Sequence, residues 1–147
     1  MDLTLSLSSD WYNLLNIPLI LITLKEVIPK WKDIWDDRFT SDDRRLMMRI
    51  VIFLALPAVE FIHETGHYLA ALQVGAKVYE FHYGPVAGYV RVDGNIPDWQ
   101  LLWIAVAGNL AQVLTGLLAL LIATLVRSAA QVAFFVYLGL FSFGGTV

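Results

Sequence analysis

Cysteine is absent from the 147-residue chain, which excludes disulfides, thiol nucleophiles and cysteine metal sites. Charge is also scarce: Asp, Glu, Lys and Arg make up 16 % of the residues, against about 25 % in soluble domains. Its distribution is uneven. Seven of the ten basic residues lie between Lys25 and Arg49, beside six acids. From Ile50 to Val147, 98 residues carry only eight charges, too few to solvate a surface in water. A net charge of −3 leaves no basic face, which argues against nucleic acid as a partner. Met1-Asp2 opens no positive leader and no small-residue cleavage site follows an apolar run, so a signal peptide is not expected. Beyond Asp98 there is no acid and no histidine.

Apolar residues are abundant, at 58 %, and the mean hydropathy is +0.63. The expectation is a multi-pass integral membrane protein in contact with membrane lipid, a single membrane domain over residues 1–147. Its expected fold class is all-α, with about three transmembrane helices, an N-terminal interfacial helix and a short β-hairpin. Residues 1–45 form the interfacial and charged N-terminal segment. Leu14 to Leu24 is apolar but interrupted by Pro18, and eleven helical residues rise about 16 Å against a hydrocarbon core of about 30 Å. It reads as interfacial or re-entrant, with Trp11 and Tyr12 at headgroup level and Trp31 and Trp35 on one helix face. Ser41, followed by Asp42 and Asp43, marks a helix start.

Residues 46–74 belong to a helix that Gly75 stops and that Pro57 is expected to kink. Residues 75–98 alternate and carry turn dipeptides, which predicts the hairpin; Pro97-Asp98 then caps the next helix. Residues 99–147 read as two apolar helices. Gly108, Gln112, Thr115 and Gly116 form a small and polar stripe, a usual packing face. Trp99 and Trp103 are expected as interface anchors. Eight basic residues on the side of the N-terminal segment, against Lys77 and Arg91 on the other, put the N-terminal segment in the cytoplasm.

The ionisable residues at membrane depth are concentrated in His63-Glu64-Thr65-Gly66-His67, an HExxH sequence. Residues four apart stack on one helix face, so two imidazoles can converge on one Zn²⁺. Glu64 beside them can act as the catalytic general base. The bland reading is a pair of neutral histidines bonded to backbone or neighbouring helices, with Glu60 and Glu64 neutral or paired with Arg49 or Arg127. Intramembrane ionisable groups are costly and mark function more often than packing.

The run His63-Glu-Thr-Gly-His-Tyr-Leu-Ala-Ala-Leu-Gln-Val-Gly resembles the first catalytic helix of the site-2 protease family of intramembrane zinc metalloproteases. Phe81-His-Tyr-Gly-Pro with Gly88-Tyr-Val is similar to that family's membrane-associated hairpin, and Ala107-Gly108-Asn109 to the signature on its following helix. The resemblance covers about Val59 to Gly116. It implies a zinc-dependent hydrolase that cleaves transmembrane or membrane-proximal peptides, with His63 and His67 as metal ligands and Glu64 as base. It also implies a third ligand, an aspartate in an LDG-type motif on a later helix, and a hairpin on the cytoplasmic side, opposite to the basic-residue count.

No such aspartate follows Asp98. Val92-Asp93-Gly94 is that motif in miniature at the hairpin exit, so Asp93 is the candidate third metal ligand, although a turn aspartate needs no functional reason. His82 is a strand residue better suited to packing. Glu60 is better placed to accept from a histidine N–H than to ligate. Two functions follow. One is a site-2-protease-like peptidase whose third ligand comes from Asp93, from further chain or from a partner. The other is a non-catalytic, protease-like subunit of a larger membrane complex.

Overall fold

The computed structural model describes residues 4–7, 11–36, 38–85 and 87–144, with side chains from Leu14 onward. Met1 and Asp2 and the side chains of Trp11 and Tyr12 lie outside the described residues. The chain runs β1 (Thr4–Leu7), α1 (Trp11–Ile34), α2 (Ser41–Ile50), a π-helical turn (Val51–Ala55), α3 (Leu56–Gln73), β2 (Val78–Tyr83), β3 (Tyr89–Val92), α4 (Asp98–Leu125) and α5 (Ala129–Gly144).

α2, the π turn and α3 form one unbroken helix, Ser41–Gln73. Its N-cap is Thr40 rather than the expected Ser41. The Thr40 side chain accepts from the Asp43 N–H at 3.2 Å while Asp43 Oδ2 accepts from the Thr40 N–H at 2.7 Å, a reciprocal capping box. Pro57 lacks an N–H and crowds the carbonyl four residues back. The helix absorbs this just upstream, where the Leu56 N–H reaches the Val51 carbonyl across a widened turn. At the far end Gly75 takes φ +72°, and Ala76 and Gly75 donate back to the Ala71 and Leu72 carbonyls at 2.9 and 3.1 Å.

Two helices, Ser41–Gln73 and Asp98–Leu125, are long and apolar enough to cross a membrane. The expected third span falls short: α5 has 16 residues, about 24 Å of rise. The N-terminal segment differs more. α1 continues through both Pro18 and Pro29 for 24 residues and packs on α2 and α5 through Val27, Ile34, Leu46, Met47, Ile50 and Ala130. Trp35 meets Trp31 and Phe134 edge to face at 5.4 and 5.9 Å, so it packs inward while Trp31 stays exposed. Arg49 pairs with Glu26 of α1 at 2.7 Å instead of reaching Glu60 or Glu64.

The hairpin forms as read, β2 antiparallel to β3. β1 adds a parallel strand on the other side of β2, giving a sheet of order β1-β2-β3. α4 starts at Asp98 with Pro97 as N-cap and no side-chain capping bond; Asp98 instead places its charge in the first turn. α4 sits between α3 and α5 at two close approaches. A Cβ on Gly66 would lie 2.7 Å from the Ala107 carbonyl oxygen, and one on Gly116 3.2 Å from that of Gly139. The small-residue stripe is therefore shared between two neighbours, with Gly108 and Ala107 toward α3 and Gly116 toward α5.

Candidate active site

The close approach at Gly66 aligns α3 antiparallel with α4 and decides what the histidines face. His67 Nδ1 lies 2.6 Å from the Ile104 carbonyl oxygen. A carbonyl only accepts, so Nδ1 carries the proton and Nε2 presents a lone pair. Gly108 packs flat on that ring: a Cβ there would be built into the imidazole. His63, one turn earlier on α3, presents its Nε2 to the Nε2 of His67 at 3.0 Å. In a neutral, metal-free pair one of these nitrogens must donate to the other. Around a bound cation both would offer lone pairs.

Glu64 is 3 % exposed, and its Oε2 meets no hydrogen-bond partner among the described residues. The loop entering β3 covers it: a Cβ on Gly88 would lie 2.5 Å from Glu64 Cγ and 2.7 Å from the His82 carbonyl oxygen. The Gly88 N–H is directed at the carboxyl of Glu60, one turn before Glu64. Glu60 thus lies between the hairpin and His67, close enough for its charge to act on that ring. Tyr83 adds a second tie, its hydroxyl donating to the Pro57 carbonyl at 2.8 Å. Burial, then the neighbouring Glu60 carboxyl, push the Tyr83 hydroxyl above its ordinary range.

His63, Glu64 and His67 open together into a cavity of about 400 Å³, walled by Gly88, Tyr89 and Val90 of the hairpin and by Leu101, Ile104 and Ala105 of α4. Asp93 is held elsewhere: its carboxylate accepts from the Asn95 N–H at 3.1 Å and the Tyr79 hydroxyl at 3.3 Å. His82 stacks on Tyr89 at 4.6 Å, a packing role. Trp99 is exposed, while the Trp103 indole donates to Gln73 at 3.1 Å. Among the described residues no three His, Cys, Asp or Glu side chains group as a metal site.

The donors present fit part of a zinc site. Two nitrogens on one tetrahedral zinc at about 2.0–2.1 Å would stand roughly 3.3–3.4 Å apart, close to the 3.0 Å observed. The carbonyl behind His67 fixes the tautomer that ligation requires. The residues are suited to two ligands and a buried carboxylate beside them.

The family is defined by residues 51–142, which match the model of peptidase family M50. The chain belongs to that family, the site-2 proteases, whose members are membrane-embedded and generally zinc-dependent. The fold is similar to that of the site-2 protease from Methanocaldococcus jannaschii, at 18 % identity and a TM-score of 0.58. That match covers 99 % of this chain and 59 % of the archaeal one. A comparison with curated proteins found no match.

The sequence marks Gly88 and Gly108 as family-like and packing positions, but not the contacts of Gly88 with Glu64 and Glu60 or of Gly108 with His67. Gly108 had a legible signal, its place in the Ala-Gly-Asn element. Asn109, the polar member of that element, is exposed on the other face of α4.

Proposed function

We propose that this protein is a multi-pass intramembrane zinc metallopeptidase that cleaves transmembrane or membrane-proximal peptides. The observation that carries this reading is the pair of facing Nε2 atoms, 3.0 Å apart, with the buried Glu64 carboxylate opening into the same cavity. Zinc bound by His63 and His67 would supply Lewis-acid polarisation and water activation. Glu64 is the base: its carboxylate takes a proton from the attacking water as oxygen bonds to the scissile carbonyl carbon. It then delivers that proton to the amine nitrogen as the C–N bond breaks, leaving a carboxylic acid and an amine. Burial keeps competing water from that carboxylate, and the hairpin wall at Gly88 to Val90 orients the peptide. With Asp93 held by Asn95 and Tyr79, the third ligand would come from further chain or from a partner.

Glu64→Gln tests the assignment in the purified chain with a transmembrane peptide. Cleavage is expected to fall by about 10²- to 10⁴-fold with thermal unfolding unchanged. Wild-type cleavage by that variant would overturn the reading. The absence of a third ligand among the described residues favours a second reading, a non-catalytic subunit of a membrane complex. That reading predicts co-migration with a large assembly in mild detergent and no cleavage by any preparation.

A further inference from the structure

Gln112 lies on α4 one turn beyond Gly108, as Gly108 lies one turn beyond Ile104. Because α3 and α4 run antiparallel, this order mirrors His67 and His63. Ile104 and Gly108 serve His67; the next turn of α4 meets His63. Gln112 is 4 % exposed in an apolar helix, within hydrogen-bonding reach of the His63 ring. Its Oε1 and the His63 Nδ1 are both buried, and neither has an aligned partner among the described residues. Two buried groups left unsatisfied cost free energy that one bond between them would remove.

We propose that Gln112 is the positioning residue of His63, doing for that ring what the Ile104 carbonyl does for His67. The primary amide suits the task because it both accepts and donates. Its oxygen accepts when Nδ1 carries the proton, the form in which Nε2 is free to ligate. Its NH₂ group donates when His63 uses its Nε2 proton to bond His67. A backbone carbonyl satisfies only the first form. His67 therefore has one fixed tautomer and His63 two available ones, so the pair can pass between a proton-sharing state and a cation-binding state without stranding a buried nitrogen. Gln112 also lines a second cavity, of about 360 Å³, together with Glu60 and Asn16. This gives its amide room to rotate between the two bonds.

The purpose of this assignment rests on the zinc-peptidase reading; the contact itself does not. The test compares the wild-type chain in detergent with Gln112→Met, which keeps the side-chain length and removes the amide. In the metal-free protein, ¹⁵N–¹H spectra of the histidine rings are expected to show the His63 Nδ1 signal displaced and the His67 Nδ1–H retained on its carbonyl. In competition with a chelator, zinc affinity is expected to fall about 10- to 100-fold. Unchanged His63 ring signals in folded Gln112→Met would overturn the assignment. If that variant does not fold, Gln112→Asn, with its amide one methylene short, is read by the same spectra. A wild-type chain that holds no zinc would overturn the proposed function and leave the metal-free spectra to decide Gln112.

Discussion

Gly108 rests directly on the imidazole of His67, and the absent Cβ is what lets α4 approach the HExxH face of α3. One ring is thereby clamped between a glycine and the Ile104 carbonyl. Without that contact His67 Nε2 would not be aimed at His63, and the donor pair would not exist.

Gly108→Ala should therefore separate the helices or turn the ring. A stability loss of about 1–3 kcal/mol is expected for such overpacking, with zinc affinity reduced at least about 10-fold. Thermal unfolding and a zinc competition titration measure the two. Gly94→Ala, where a Cβ would meet nothing within 4 Å, is the neutral control. Equal behaviour of the two variants would show that the ring has room.

Gly88→Ala attacks the same site from the hairpin side. Its Cβ would collide with Glu64 Cγ at 2.5 Å, so either the loop lifts from α3 or the carboxylate shifts. Displacements of this size cost on the order of 10²-fold in rate. The expected signature is a lowered kcat with the protein still folded; a wild-type kcat would mean that the loop position is irrelevant to the base.

Tyr83→Phe removes the 2.8 Å bond to the Pro57 carbonyl and should cost about 1 kcal/mol in chemical unfolding. The pH dependence follows from the raised hydroxyl pKa of Tyr83. A group that holds its proton more tightly when folded stabilises fully below its unfolded value, about 10. That stability is lost as pH rises through the higher folded value. Phenolate absorbance of wild type against Tyr83→Phe should show one late-titrating tyrosine. A Tyr83 that titrates with the exposed tyrosines would contradict the buried tie.

The HExxH helix, the hairpin and the apolar α4 were legible in the sequence because each is written locally: periodicity, turn glycines and long uncharged runs. α1 extends beyond the apolar run Leu14–Leu24 because packing of Val27 and Ile34 into the cluster with α2 and α5 outweighs the local break that Pro18 signals. β1 carries no local signature, being four residues that pair with a strand more than seventy positions away. His63, Glu64 and His67 could be named from spacing, but their partners could not. Ile104, Gly108 and Gln112 reach them through a helix–helix register set by Gly66 and Ala107, and register across a gap of about forty residues leaves no trace in either segment alone.

The most direct measurement of the central claim is the metal content of the purified full chain, by elemental analysis, with His63→Ala alongside. A zinc metallopeptidase predicts one zinc ion per wild-type chain and its loss in the variant, with both proteins folded. A wild-type chain that is folded, metal-free and unable to take up stoichiometric zinc would contradict it.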